Sequence, residues 1–396
     1  MNEQIDLFGG AGAGAVTVGD AEHPAGTNAA ESSGAAESSG AASETVGHRR
    51  AEVTGMSDIE AAPAGAAVRG SLRVGGGANA ASTAEASVSV TAASSTLLVI
   101  DGTALLFRVY YGMPSRISPT GVEIGAVMGV CHQLLGITRR RPEDHIVVVY
   151  DAGQETFRNG IDPSYKANRG DPPDDLVPQF DLVKEASSAL GFPSLSLVGY
   201  EADDLMATLA ARAREAGMGA RLVAIDKDLC QAVTDEAPAV DICDPKTDAL
   251  MGAAGVRERL GVDPEQVVDF MALTGDSTDN IKGVKGVGPK AAQALLAAFG
   301  SLDGILDNLE RIEFLSVRGA KGLAKKMEAG REDALLARRL VRLDDVVPMG
   351  IDASTIAAAG LWQGPQPEAE PFFGGLGIRG PLAGFRRLYE LRMDAR

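Results

Sequence analysis

The chain is 396 residues long, enough for two domains and a sizeable buried core. Its 37 Lys and Arg against 54 Asp and Glu leave a formal charge of −17, which excludes a simple polycation but not a nucleic-acid partner met by local basic clusters. Three scattered cysteines (Cys131, Cys230, Cys243) exclude a disulfide framework and a four-thiolate zinc site, and no apolar run approaches the roughly 18 residues of a membrane span. A soluble, intracellular monomer without a membrane partner is expected.

Residues 1–95 are dominated by Ala, Gly, Ser and Glu, with AESSGA in tandem at Ala30–Ala35 and Ala36–Ala41. So few large apolar side chains cannot offset the entropy of ordering the chain, and a disordered tail is expected. Glu3, Asp6, Asp20 and Glu22 argue against a transit peptide, which is rich in Arg and poor in acids. No secretory signal is recognised, and organelle and cytoplasm stay open as compartments.

From Thr96 the pattern is α/β. Three β-branched apolar runs each lead to an aspartate: TLLVID to Asp101, HIVVVYD to Asp151 and RLVAID to Asp226. Such runs suit strands covered on both faces of a parallel sheet. Helical stretches lie between them, from Val122 to about Arg139, Pro178 to Leu190 and Ala202 to Ala216. The expected domain over 96–263 is therefore a wound parallel sheet whose strand ends line one edge, where ligands collect. A helical subdomain is expected over 264–349, and a loop-rich tail over 350–396 with one short helix near Gly384–Met393.

The acids carry the chemistry. Asp101, Asp151 and Asp226 should project into one crevice, with Asp228 two residues further on. YEADDLMATLA adds Glu201, Asp203 and Asp204 in the first turn of a helix, although acids there also complement a helix dipole. ALTGDSTDN adds Asp276 and Asp279, three apart and on one side if that segment is helical. Nine carboxylates at one edge repel unless something neutralises them. Oxygen-only ligands without a Cys or His pattern favour Mg²⁺ or Mn²⁺, two or more ions, and in-line displacement at phosphorus. The absence of a Walker A motif or a strand-borne GxGxxG argues against a motor or a dinucleotide enzyme.

Two segments could hold nucleic acid. TFRNGIDPSYKANRGD follows Asp151 and interleaves Arg158, Lys166 and Arg169 with Phe157 and Tyr165, suiting a phosphate backbone and a stacked base. Arg108, about two turns beyond Asp101, is expected to face the same crevice. The second segment is the turn from Gly283 to Lys290, in which Gly286 and Gly288 allow tight geometry and Pro289 opens a helix. With Lys282, Lys285 and Lys290 around it, this reads as a helix–hairpin–helix clamp on phosphates. Between Lys282 and Arg342 lie 12 basic and 7 acidic residues, a local +5 in an acidic chain.

The motifs LLVIDG, VVVYDA, FR…YKANR, GYEADD, AIDKDL, LTGDSTDNIKGVKGVGPKAA and LSVRGAKGLAKK resemble the 5′-nuclease domain of bacterial DNA polymerase I. They also resemble the stand-alone 5′–3′ exonucleases of phages and organelles and, more distantly, the flap endonucleases. The resemblance implies a PIN-like domain with a helical arch and a helix–three-turn–helix, and Mg²⁺ or Mn²⁺ at Asp101, Asp151, Glu201, Asp203, Asp204, Asp226, Asp228, Asp276 and Asp279. It places Arg158, Tyr165, Lys166 and Arg169 at the scissile phosphate, with Lys166, Arg158 and Asp151 as the catalytic residues. It puts duplex DNA, and a K⁺ ion, on the turn from Gly283 to Lys290. With no polymerase segment before Arg396, the free-standing type is expected. The function expected is 5′–3′ exonuclease and 5′-flap endonuclease action on DNA in replication or repair. The alternatives are a non-catalytic structure-specific DNA-binding protein and a PIN-type nuclease acting on RNA.

Overall fold

In the computed structural model, β1 (Thr96–Asp101) runs through the middle of a six-stranded sheet, hydrogen-bonded to parallel neighbours on both sides. Residues 95–395 are described; the tail expected over 1–95 lies outside them except for Ser95. After β1 come α1 (Gly102–Gly112), α2 (Gly125–Arg140), β2 (His145–Val149), α3 (Phe157–Ile161), α4 (Val177–Ala189), β3 (Ser194–Leu195) and α5 (Ala202–Glu215). The sheet is completed by β4 (Gly219–Val223), β5 (Val240–Cys243) and β6 (Leu250–Met251). Strand order is β3-β2-β1-β4-β5-β6; all neighbours are parallel except β6, which runs antiparallel to β5. Connections leave β1 toward β2 on one side and return to β4 on the other, so the end of β1 is a switch point, where α/β sheets hold ligands.

Alternate side chains of β1 feed two cores. Leu98 and Ile100 pack with α1, α2 and α4, whereas Leu97 and Val99 pack with α5. The second core continues without a break into the helical region of α6 (Ala253–Leu260), α7 (Val267–Thr274), α8 (Pro289–Phe299), α9 (Leu302–Leu306), α10 (Ala320–Ala329) and α11 (Arg331–Val341). The region expected as a separate subdomain over 264–349 thus shares the apolar layer beneath α5, and the described residues belong to one compact unit.

Four expectations change. Helix α2 starts at Gly125 rather than Val122, because the Glu123 carboxylate accepts from the Arg116 and Gly125 N–H groups and the Ser115 hydroxyl, closing a loop first. The expected helical arch is the five-residue α3 followed by turns and irregular chain up to α4. Asp276 and Asp279 lie on a tight turn, not a helix: Asp276 and Ile281 exchange backbone hydrogen bonds across it. Finally, the C-terminal stretch contains α12 (Ile356–Ala359), α13 (Ala369–Gly375) and the 15-residue α14 (Gly380–Asp394), with Phe373 and Phe385 fully buried against the sheet domain. Among the described residues no helix is long and apolar enough to cross a membrane.

Candidate active site

Asp101 is the last residue of β1 and the cap of α1, its Oδ1 accepting the Ala104 N–H at 2.8 Å. Asp151 follows β2 by two residues; its N–H donates to Thr103 Oγ1 at 2.8 Å and its Oδ1 accepts the Ala202 N–H at 2.7 Å. Asp226 lies three residues beyond β4, on chain turning into the 3₁₀ helix Asp228–Ala232, with its Oδ1 accepting the Asp228 N–H. Glu201 and Asp203 open α5. Three strand ends and a helix start therefore deliver one carboxylate set.

The electrostatics follow from this crowding. Burial, aided by the charges of Asp151 and Asp226 and opposed by the Ala104 N–H, pushes the Asp101 carboxyl up to about 7. Burial and then the charges of Asp226, Asp101 and Asp228 raise Asp203 well above the carboxylate range. A second set lies beside it: oxygens of Asp228, Asp276 and Asp279 are within 4.8 Å of one another. Asp228 too is raised, by burial and then by Asp226, Asp279 and Asp276. Asp203 Oδ1 and Asp228 Oδ1 are buried and accept no hydrogen bond. A buried anionic oxygen left without donors is costly, and a hard divalent cation is what such oxygens fit.

Not all nine acids are free for an ion. Lys166 Nζ sits 2.7 Å from Glu201 Oε1 and 3.6 Å from Asp279 Oδ2, Arg169 pairs with Asp279, and Lys227 Nζ lies 2.9 Å from Asp276 Oδ2. Internal bases thus neutralise part of the repulsion that the sequence assigns wholly to cations. No ion pair among the described residues involves Asp101, Asp151, Asp203, Asp226 or Asp228.

Four expected site residues have other surroundings than the sequence suggests. Asp204 is fully buried and its four acceptor positions are filled by Arg158 Nη1 and Nη2 and by the Glu201 and Asp344 N–H groups, which leaves nothing for a metal. Arg158 is 1% exposed and donates to Asp204, Leu340 O and Arg342 O, so it does not reach a phosphate. Tyr165 is buried as well, its hydroxyl donating to Glu201 and Asp279; its ring is no platform for a base. Arg108 is half-buried on α1, and its charge acts on Asp244 at the end of β5.

In the hairpin, Lys282, Lys285, Gly286, Gly288 and Lys290 are exposed. Gly286 has φ +80° and its carbonyl accepts from Lys326 Nζ of α10, which brings a further basic helix beside the turn. Gly288 caps α8, with Pro289 in its first turn. Gly283 has another use: a Cβ there would lie 2.3 Å from the Gly275 nitrogen, so it lets two backbones cross. Thr103 and Lys227 were missed from sequence; Lys227, flanked by Asp226 and Asp228, carried a signal in its position alone.

Residues 96–261 match the family model for the 5′–3′ exonuclease N-terminal, resolvase-like domain, and residues 262–363 that for the 5′–3′ exonuclease C-terminal SAM fold. The DNA polymerase I of Rhizobium leguminosarum is 38% identical over 268 residues, 66% of this chain and 26% of that protein. The chain spans between about a quarter and a third of the polymerases it matches. The 5′–3′ exonuclease of Buchnera aphidicola is 31% identical over 261 residues, 66% of this chain and 90% of that one. Among solved structures, T5 5′-exonuclease with bound zinc shares the fold at TM-score 0.53 and 20% identity, covering 75% of this chain and 99% of that one. A T5 flap endonuclease in complex with DNA and metal ions does so at TM-score 0.51 and 21% identity, with the same coverage. Fold and both domain matches agree: the chain belongs to the 5′–3′ exonuclease family.

Proposed function

We propose that this chain is a metal-dependent nuclease that hydrolyses DNA phosphodiester bonds at 5′ ends and 5′ flaps, in replication or repair. The observation that carries the reading is the pair of buried, unpartnered oxygens, Asp203 Oδ1 and Asp228 Oδ1, one in each carboxylate set. Asp101, Asp151, Glu201, Asp203 and Asp226 would hold Mg²⁺ or Mn²⁺ in the first set, and Asp228, Asp276 and Asp279 in the second. Bound there, such ions lower the pKa of an attacking water and stabilise the departing oxygen.

The chain's own groups orient the substrate. An ammonium has three donors, and Lys166 commits one at 2.7 Å to Glu201, leaving others for a phosphate oxygen whose charge grows in the transition state. It holds this position at φ +55°, a strained conformation for a non-glycine residue that the 276–281 turn enforces through the Lys166 N–H to Asp279 O bond. Lys282, Lys285, Lys290 and the start of α8 would grip the duplex backbone without reading its sequence, with K⁺ as a candidate ion on the hairpin. The relatives from Buchnera aphidicola and Aquifex aeolicus, both named 5′–3′ exonuclease, support the same polarity.

The test is a 5′-labelled flap and a matched RNA flap, incubated with Mg²⁺ and then with EDTA. Cutting of the DNA flap in Mg²⁺ alone is expected. Binding without cutting in both conditions, or preference for the RNA flap, rejects the reading. Lys166→Met should lower the single-turnover rate about 100-fold, in line with loss of one preorganised donor.

A further inference from the structure

Arg158 has the largest side chain among the fully buried residues, and Asp204 is 0% exposed. Their two charges meet in a forked pair, both N···O distances 2.7 Å. The remaining bonds of this pair lead to two places. Asp204 Oδ2 accepts the Glu201 N–H at 3.1 Å, fixing the entry to α5. Arg158 donates to Leu340 O and Arg342 O, and Asp204 Oδ1 accepts the Asp344 N–H, fixing the chain that leaves α11.

That exit strap, residues 340–347, is held at further points. Thr208 of α5 donates its hydroxyl to Asp344 O and accepts the Val347 N–H. Gln231 accepts the Leu343 N–H and donates to Val341 O, and its amide also bonds Asp228 O. One strap thus touches the helix that starts with Glu201 and Asp203 and the 3₁₀ helix that starts with Asp228. It continues from α11, which packs on α7, the helix leading into the exposed hairpin.

We infer that Arg158 and Asp204 are positioning residues: a buried clamp that fastens both metal-binding carboxylate sets to the strap leaving α11, so that the hairpin region and the cation site form one rigid piece. The inference rests on the nuclease reading for its purpose and on the hydrogen bonds for its geometry. A bidentate fork suits the task because it fixes orientation as well as distance, and a lysine cannot reproduce it. Burial keeps the pair away from substrate, so its effect on catalysis passes through Glu201, Asp203 and Asp228.

The test compares Arg158→Met, Arg158→Lys and Asp204→Asn with the full chain in three measurements: Mn²⁺ binding by calorimetry, DNA affinity in EDTA, and single-turnover cleavage across a Mn²⁺ titration. Expected are a loss of Mn²⁺ affinity of about tenfold or more, as for groups that orient metal ligands, and a slowed rate that added Mn²⁺ partly restores. DNA affinity in EDTA should change far less, and Arg158→Lys should not rescue. Thr208→Val and Gln231→Ala loosen the strap without burying an unpaired charge, and should shift Mn²⁺ affinity the same way by a smaller factor; they carry the test if the clamp variants fail to fold. Loss of DNA affinity in EDTA with Mn²⁺ binding intact in Arg158→Met would make that residue a phosphate contact and overturn the inference. So would loss of one bound Mn²⁺ in Asp204→Asn that no Mn²⁺ concentration restores, or unchanged Mn²⁺ affinity in the strap variants. Failure of the nuclease reading shows separately, as wild-type chain that binds Mn²⁺ but cuts nothing.

Discussion

Lys227 places its ammonium 2.9 Å from Asp276 Oδ2, inside the set where Asp228, Asp276 and Asp279 bring oxygens within 4.8 Å of one another. Burial would raise the Asp276 carboxyl, but the Lys227 charge and the Thr278 N–H outweigh it and hold the group below its ordinary range. A lysine there is an internal counter-ion that competes with any divalent cation. Lys227→Met should therefore tighten Mn²⁺ binding by about fivefold, the equivalent of roughly 1 kcal/mol for a partly solvated ion pair. It should also lower the Tm of the metal-free protein. Calorimetry with and without EDTA checks both; weaker Mn²⁺ binding in the variant would place Lys227 on the side of the ligands.

The two carboxylate sets make the metal-free protein sensitive to rising pH. Asp101 is pushed up to about 7, first by burial and then by Asp151 and Asp226, while Asp203 and Asp228 are raised by burial and their neighbours. An acid whose folded pKa lies above its unfolded value stabilises the fold fully below the unfolded pKa, near 4, and loses that contribution as pH rises through the folded one. Asp276, shifted down, acts in the opposite sense and only at acid pH. Thermal melts in EDTA should thus show Tm falling between about pH 5 and pH 8, and Mn²⁺ or Mg²⁺ should flatten the decline by stabilising the ionised carboxylates. A Tm in EDTA that holds level or climbs over that range would contradict the crowding described for Asp101, Asp203 and Asp228.

What the sequence discloses and what it hides divide along physical lines. Strands β1, β2 and β4 are legible because residues buried on both faces make continuous apolar runs, and Asp101, Asp151 and Asp226 follow as the polar residues that stop them. The fork between Arg158 and Asp204 is not legible: the partners are 46 residues apart, and the buried carbonyls of Leu340 and Arg342 that complete it exist only once α11 has docked. A basic residue near an acidic cluster suggests substrate phosphate from sequence, and only burial reveals that it serves another carboxylate. Helix α14 begins at Gly380, four residues before the Gly384 expected from the sequence. Gly380 and Pro381 look like a loop, yet Pro is tolerated in a first helical turn, and Pro381 occupies it.

Two glycines of the hairpin should separate folding from binding. At Gly283 a Cβ would meet the Gly275 nitrogen at 2.3 Å and Leu273 O at 2.6 Å, backbone atoms that cannot rotate away. Gly283→Ala should cost about 1–3 kcal/mol of stability, the usual range for overpacking. At Gly288 nothing lies within 4 Å of the added carbon, and its φ of −93° suits any residue. Gly288→Ala should cost under about 1 kcal/mol, the difference between Gly and Ala at a helix cap, while crowding a phosphate at the start of α8. Urea unfolding and DNA affinity in EDTA, measured on both variants, should show the first dominated by stability and the second by binding.

Helices α13 and α14 lie beyond residue 363, where the family matches end, yet they are part of the core. Trp362 stacks on Phe192 with ring centroids 5.5 Å apart and planes 14° apart, and its indole N–H donates to Leu190 O at 2.9 Å. Phe385 of α14 meets both rings edge-on, and Tyr389 meets Trp362 likewise. Arg392 adds its guanidinium above the Trp362 ring at 5.1 Å and donates to the carbonyls that end α2. Truncation after Gln363 removes Phe373 and Phe385, two fully buried rings, and opens the aromatic cluster to water. Loss of one buried Phe typically costs 3–5 kcal/mol, against a total stability of about 5–15 kcal/mol, so the truncated chain should be largely unfolded or aggregated. Phe385→Leu should lower the Tm but leave the Mn²⁺ stoichiometry and the single-turnover rate below its Tm unchanged, because α14 packs on α2 and α13, on the face of the sheet opposite α5. A truncated chain that melts like the full one would show that α13 and α14 are an ornament on the fold rather than part of it.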